Sequence, residues 1–541
     1  MMLLTAIFVV AMSVPYLVPH LGVFSLFSLV PLLCMDYIGT NAGVKRMWLW
    51  HYSAFVLWNA VTTFWVCNAT IGGGIFACLA NALQMSLIFG TFRWSKKVLK
   101  GSLPYILLAV LWIAWERYYL VNAQISWPWL LMGNAFARTV SLVQWYEFTG
   151  ALGGSLWVWA CNLSIFGLMV CLAEGSWLRF NVKAKSAAIL GVVLLFCAPI
   201  TLSLMMYHSQ SEPSRESMEV AVLQPNIDPY NKFGGMSRGQ QNAILIDLLD
   251  NALSQRNDTS KMILAIAPET FTGDIINGRL EQSQTWRRFV SYLQDHPNVN
   301  LLFGASSYDM IESHSAPSYT ARPAGPSMWV ESHNSALMID GTKSTQTYHK
   351  SKLVVGVEST PYPAVFCKID DMLGGVIGRC VGQEEVSLLN CIGRDTLGMA
   401  VQTIPTGCAV CYESVYPEHC AEYVRKGARM LTVITNDAWW GNTPGYRQHL
   451  SYASLRAIET RRWIARSANT GISAIIDDKG NILQKTDWEE KCAFLSNVYL
   501  NDCQTFFVRN GDFVGRICTM LAGLLLLAAI VRRVKAKSNN N

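Results

Sequence analysis

Apolar residues run almost unbroken through eight stretches of near membrane-spanning length: about 2–18, 21–38, 48–68, 71–92, 103–121, 151–174, 186–207 and 513–532. Between the seventh and the eighth the pattern changes. Short β-like runs appear there, "SMEVAVLQPNI" (217–227), "KMILAIAPET" (261–270), "VNLLFGASSY" (299–308), "HNSALMID" (333–340), "ARMLTVITND" (428–437) and "GISAIID" (471–477), each an apolar core closed by polar or turn residues. "RQHLSYASLRAIETRRWIARSA" (447–468) reads as one long helix with Leu450, Ala453, Leu455, Ala457, Ile458 and Ile464 near a common side. The pattern predicts three parts: a seven-span α-helical membrane bundle (1–207), an α/β layered domain (208–512), and a C-terminal membrane helix with a basic tail (513–541). "DMIESHSAPSYTARPAGPSMWV" (309–330), rich in Pro, Ser and Gly, is expected to be a mobile loop.

Composition agrees with that division. The chain has 51% hydrophobic and only 15% charged residues, and the spans absorb the apolar excess. Lys45 and Arg46, "RWSKKVLK" (93–100), "RFNVKAK" (179–185) and "RRVKAK" (532–537) all fall on one side of an eight-span plan. Basic loops are retained in the cytoplasm, so residues 208–512 are expected outside it. The start "MMLLTAIFVV" has no preceding basic residue and does not read as a cleaved signal peptide. Because the net charge of +6 comes largely from these loops and the tail, nucleic acid is not an expected partner. Few ionisable residues occur in the spans; Glu116, Arg117 and Glu147 are read as lying near span ends, which argues against a transport pathway.

Of the 15 cysteines, eight lie in the exported part. Cys408 and Cys411 form a single CxxC without a second ligand pair, so no metal is expected there. Disulfides among Cys367, Cys380 and Cys391 suit an oxidising compartment. Three polar residues stand at strand ends or adjoining turns: Glu269 in "APET", Lys350 in "TYHKSKL" and Cys411 in "CAVCYES". A carboxylate to take a thiol proton, a thiolate to attack a carbonyl and an ammonium to meet the oxyanion form a complete set for acyl transfer.

These motifs, with 81 residues from Glu269 to Lys350 and 61 from Lys350 to Cys411, resemble the nitrilase (carbon–nitrogen hydrolase) superfamily over residues 217–500. With the membrane spans, the whole chain is similar to that superfamily's apolipoprotein N-acyltransferase branch. The resemblance implies an αββα sandwich, a Glu269–Lys350–Cys411 triad and no cofactor. "YHKSKLV", "CYESVYPE", "TNDAWWGNTPGYRQH" and "RSANTGISAIID" carry it, and supporting roles follow for Glu358, Tyr412, Glu413, Trp439 and Trp440. Where the family reads Pro-Phe-Gly-Glu-Tyr, this chain has "VVGVEST", and Phe233 stands at the position of a family tryptophan.

The implied reaction is ping-pong. A phospholipid donates a fatty acyl chain to Cys411 as a thioester, and the α-amine of an S-diacylglyceryl-cysteine on a lipoprotein then accepts it. The implied location is the bacterial inner membrane, multi-pass, with the catalytic domain on the periplasmic side. Cys411 is read as opening the helix "SVYPEHCAEYVRKGA", so that the helix dipole and Lys350 favour thiolate. Pulling acyl chains into water costs about 0.8 kcal/mol per methylene. Exposed apolar loops are therefore expected around the site, with "FTGDII" (271–276) and "DAWWGNTPGY" (437–446) as candidates; for Trp439 and Trp440 core packing is the competing role. A membrane-tethered amidase would use the same triad but pass the acyl group to water, and a non-catalytic scaffold would use none of it.

Overall fold

A computed structural model describes residues 1–209, 216–372, 378–395 and 397–538. The chain divides into two compact units, Met1–Gln210 with Asn510–Asn541, and Ser211–Arg509.

In the first unit, Gly22–Asn41, Ile71–Ser95, Tyr146–Ala173, Val182–His208 and Phe513–Ser538 are long and apolar enough to cross a membrane. Met2–Leu17, Met47–Thr63 and Leu103–Val121 occupy the other three apolar runs. Asp36 is buried and paired, receiving Arg93 Nε and Lys96 Nζ, each at 2.8 Å. Glu116, five residues before the end of Leu103–Val121, is fully buried. Its Oε1 accepts from the Met132 N–H (2.8 Å) and from Trp112 Nε1 (3.2 Å). The reason is the segment after its helix, three short 3₁₀ turns from Pro128 to Leu142, whose irregular backbone needs a side-chain acceptor.

The second unit holds fourteen strands among the described residues: β1 (Ser217–Gln224), β2 (Ile263–Ile266), β3 (Thr272–Ile276), β4 (Val299–Glu312), β5 (Arg322–Gly325), β6 (Met328–Ile339), β7 (Thr345–His349), β8 (Leu389–Arg394), β9 (Ala400–Val410), β10 (Met430–Thr435), β11 (Ile464–Ala468), β12 (Ala474–Ile476), β13 (Ile482–Lys485) and β14 (Cys492–Tyr499). One sheet runs β14-β1-β2-β4-β6-β5, with β3 beside β4 and β7 beside β6; the other runs β13-β12-β11-β10-β9-β8. Their inner faces share a core. Along β1, Met218, Val220 and Val222 join that core, while Ala221 and Leu223 face the opposite side, under helices Arg238–Ser254 and Gln284–Gln294. Burial of both faces explains why β1 and β2 read as continuous apolar runs. Helices Pro417–Arg425 and Pro444–Thr460 cover the second sheet, through Ala421, Val424, Leu450, Ala453 and Ala457, which completes an αββα sandwich.

Several local expectations change. The helix read over 447–468 ends at Thr460; Arg461 turns left-handed (φ 49°), and Ile464–Ala468 becomes β11, parallel to β10. Periodicity could not mark this boundary, because almost every residue from Gly445 to Thr460 is buried. Arg462 instead fixes the turn, donating from Nε to the Ala428 carbonyl (2.8 Å) and from a terminal nitrogen to that of Cys503 (2.7 Å). Residues 309–330 are not a loop throughout: β4 and β6 extend as a hairpin through Glu312 and Met328, with β5 alongside. "FTGDII" is core, with Phe271 and Ile275 buried and β3 paired to β4. All 15 cysteines are free; Cys391 packs in the inter-sheet core and contacts Thr406 Oγ1.

Candidate active site

Glu269, Lys350 and Cys411 follow the carboxyl ends of β2, β7 and β9. Beyond β2, Ala267 and Pro268 carry the chain to Glu269, and Thr270 (φ 47°) turns it away. Gly304 on β4 makes room for this turn: a Cβ there would lie 2.5 Å from Glu269 Cα and 2.5 Å from the Thr270 nitrogen. Since backbone cannot yield as a side chain can, Gly304→Ala must displace Glu269. A displacement approaching 1 Å lowers turnover by about 100-fold, and the expected signature in acylation kinetics is a fall in kcat with the protein still folded by circular dichroism.

Lys350 is buried, and its Nζ lies 3.1 Å from Glu269 Oε1 and 2.9 Å from the Glu358 carboxylate. Asn334 on β6 reinforces the bridge, its Nδ2 donating to Glu269 Oε1 (2.7 Å) and Glu358 Oε1 (2.6 Å). Glu358 is oriented in turn by the Val354 N–H on Oε2 (2.8 Å). Oε2 of Glu269 accepts from the Asn436 N–H at 3.1 Å. A carboxylate offers about four acceptor positions. With two donors on Oε1 and one on Oε2, one position on Oε2 remains for an incoming proton.

Cys411 does not open an α-helix. It sits in the left-handed region (φ 53°) at the end of β9 and starts a 3₁₀ turn, Cys411–Val415; the α-helix begins only at Pro417. The expected dipole assistance is therefore missing. Burial, and after it the Glu269 carboxylate, push the Cys411 thiol well above its ordinary range, against the opposing pull of Lys350. Cys411 therefore rests as a thiol, and attack by its sulfur would need a base. Lys350 shows the reverse balance: burial opposes its charge, but Glu269 and Glu358 outweigh that and keep it an ammonium.

The residues expected to support the site divide by position. Tyr412 is buried beside the Tyr416 ring, at 5.2 Å. Glu413 faces the lysine loop, where Oε1 accepts from the Tyr348 hydroxyl and the Ser351 N–H (both 2.6 Å) and Oε2 from the Val410 N–H (2.8 Å). Burial alone would raise its pKa, yet His419 and these bonds hold it below the ordinary carboxylate range. Glu413 thus ties the Cys411 turn to the Lys350 loop. Trp439, 37% exposed, and Trp440, whose ring edge meets His449 at 5.4 Å, occupy the turn after β10. Phe233 stands in the short helix Pro229–Gly234, and its side chain lies outside the described residues. Apolar exposure near the site is found at Val357, Tyr362, Val365, Phe366 and Met372, in the loop holding Glu358 and the helix after it.

The sequence reading missed Asn334, Asn436, Asp437, His449 and Arg466, although the strings "HNSALMID", "TNDAWWG", "RQH" and "RSANTG" contain them. Asn334 Oδ1 and Asn436 Nδ2 are buried without a partner among the described residues. Cys411, Asp437 and His449 place their ligating atoms within 4.8 Å of one another, the donor set of a metal centre. A cation is already there. Arg466 donates to Asp437 Oδ2 at 2.6 Å, both side chains being fully buried.

Residues 219–506 match the sequence profile of the carbon–nitrogen hydrolase family. The chain belongs to the carbon–nitrogen hydrolase family. In this member a second match precedes the hydrolase unit, residues 8–164 with the apolipoprotein N-acyltransferase N-terminal domain. The chain is 26% identical over 520 residues to an apolipoprotein N-acyltransferase of Chlorobaculum tepidum, covering 95% of this chain and 93% of that one. Its counterpart from Geobacter metallireducens is 25% identical, with 90% and 85% covered. Among solved structures, Saccharomyces cerevisiae Nit3, a nitrilase-superfamily protein, is 13% identical and covers 54% of the chain with a TM-score of 0.36.

Proposed function

We propose that the protein is a membrane-embedded N-acyltransferase that moves a fatty acyl chain from a phospholipid, through a Cys411 thioester, to the α-amine of a diacylated lipoprotein. The observation that carries this reading is the joining, in one chain, of an acyltransferase-type N-terminal domain to a carbon–nitrogen hydrolase unit, with relatives of that name matched over nearly the full length. In the proposed arrangement eight helices span a bacterial inner membrane, and Ser211–Arg509 stands on the periplasmic face.

The geometry supports a two-stage cycle. As Cys411 Sγ attacks the ester carbonyl, Glu269 takes the thiol proton at its remaining acceptor position. The ammonium of Lys350 and the Tyr412 N–H meet the oxyanion. Collapse breaks the ester C–O bond, and Glu269 returns the proton to the lysophospholipid that leaves. In the second stage the acceptor amine attacks the thioester, and Glu269 accepts its proton while the thiol reforms.

A thioester built to wait for an amine must exclude water. Purified protein given phosphatidylethanolamine alone is expected to release about one lysophospholipid per enzyme and then stall. Addition of a peptide bearing an N-terminal S-diacylglyceryl-cysteine should restart turnover, whereas the same peptide with a blocked α-amine should not. Steady release of free fatty acid without acceptor would assign the protein to hydrolysis instead.

A further inference from the structure

The triad does not use His449, although this imidazole is fully buried against the nucleophile turn. Its Nε2 lies 3.0 Å from the Cys411 carbonyl oxygen and 3.0 Å from Ser414 Oγ. Ser414 gives its own hydroxyl hydrogen to the same carbonyl, at 2.8 Å. Both neighbours of Nε2 therefore act as acceptors, and Nε2 must carry a hydrogen. On the other side, Nδ1 meets Asp437 Oδ1 at 3.0 Å and an Arg466 guanidinium nitrogen at 3.1 Å. Whether Nδ1 accepts from Arg466 or donates to Asp437, the proton on Nε2 stays. The Cys–His–Asp proximity thus differs from a protease dyad: His449 has no free lone pair on Nε2 with which to take the thiol proton.

The imidazole is also held rigidly. Asp437 accepts from Thr435 Oγ1 (2.7 Å) and from Arg466 (2.6 Å) as well as facing His449. Burial would raise the Asp437 carboxyl, but Arg466 and His449 overcome it and leave the group ionised, with a pKa of about 2. A fixed anion therefore orients a fixed ring, whose N–H reaches one carbonyl.

That carbonyl has two uses. Cys411 is a non-glycine residue in the left-handed region, a conformation that costs on the order of 1–2 kcal/mol and persists only where the surroundings enforce it. In addition, the Cys411 C=O belongs to the same peptide unit as the Tyr412 N–H. Hydrogen bonds to the oxygen of an amide draw electron density from its nitrogen and make its N–H a stronger donor.

Building on the acyl-thioester reading, we propose that His449 is a positioning residue: with Ser414 it grips the Cys411 carbonyl, holds the nucleophile turn and strengthens the Tyr412 N–H as an oxyanion donor. The residue acts through the Cys411 carbonyl and not by taking the thiol proton. Its effect should therefore appear in carbonyl chemistry and be small in substitution at saturated carbon.

Two probes on the full-length protein separate these. A p-nitrophenyl acyl ester acylates Cys411: the C–S bond forms, electrons pass through the oxyanion, p-nitrophenolate leaves, and the thiol proton goes to the base. Iodoacetamide alkylates the same sulfur by displacing iodide, with no oxyanion. In His449→Ala, acylation should slow by about 10- to 100-fold with unchanged KM, part of the effect of an oxyanion donor, while alkylation changes by less than about 3-fold. His449→Gln retains a donor and should recover most of the loss. Should His449→Ala fail to fold, Ser414→Ala, which removes the other bond, should slow acylation by about 5-fold and leave alkylation unchanged. Equal losses in both probes, or no loss in acylation, would overturn the proposal. The ester needs no phospholipid, so wild-type protein that accepts it but releases no lysophospholipid would reject the donor assignment alone.

Discussion

Cys411→Ala protein incubated with phosphatidylethanolamine shows no acyl adduct and releases no lysophospholipid above background; this is the expected result, and the loss is complete, not partial. The reason is specific to this thiol. The other cysteines of Ser211–Arg509 include Cys408 and Cys420, which lie in the hydrophobic core with their pKa pushed up to about 12 by burial. Intact-protein mass spectrometry is the measurement: wild type gains one fatty acyl mass, and the variant gains none. An acylated Cys411→Ala protein would show that another residue is the nucleophile.

Lys350→Met is expected to lose activity by at least about 1,000-fold, combining the loss of an oxyanion donor with misplacement of the base. It should also unfold more easily, for an electrostatic reason. Glu269 and Glu358 share the ammonium at 3.1 and 2.9 Å, and without it a buried and a half-buried carboxylate face each other. Removing one partner of a buried ion pair costs about 3–5 kcal/mol. The sign of the pH dependence follows. In the variant the two carboxylates repel each other, and taking up a proton relieves that repulsion. The deficit is therefore smallest at low pH and grows as pH rises. Thermal unfolding of the variant should therefore fall further below wild type at pH 8 than at pH 5. A variant whose deficit grows on acidification would contradict the shared-ammonium arrangement.

Much of the architecture was legible because burial leaves a direct imprint on residue type. Strands β1, β2, β4 and β10 are buried on both faces and appear as apolar runs, and Glu269 was marked by its position after such a run, whereas Lys350 follows the polar strand β7. Other features leave no comparable imprint. Helix Pro444–Thr460 is buried almost all round, so its polar residues follow no face, and its end depends on hydrogen bonds from Arg462 to carbonyls 34 and 41 residues away in the chain. The surroundings of Cys411 were misread for a related reason. A run of good helix formers begins soon after it, but local propensity cannot reveal that φ at Cys411 is positive; this conformation is enforced by Ser414 and by His449, 38 residues further on.

By itself the sequence determined which segments are apolar enough to enter a membrane, where six of the fourteen described strands lie, and which carboxylate, ammonium and thiol stand at strand ends. These are properties of composition and short-range period. Only the tertiary structure decided that Asn334 links the two glutamates, that Glu413 braces the lysine loop, that the Cys411 thiol rests protonated, and that a buried Arg466–Asp437–His449 chain ends on its carbonyl. Each depends on distances between residues far apart in the chain and on the loss of water around them. Burial strengthens every charge and hydrogen bond in the site, and no local window of sequence contains that information.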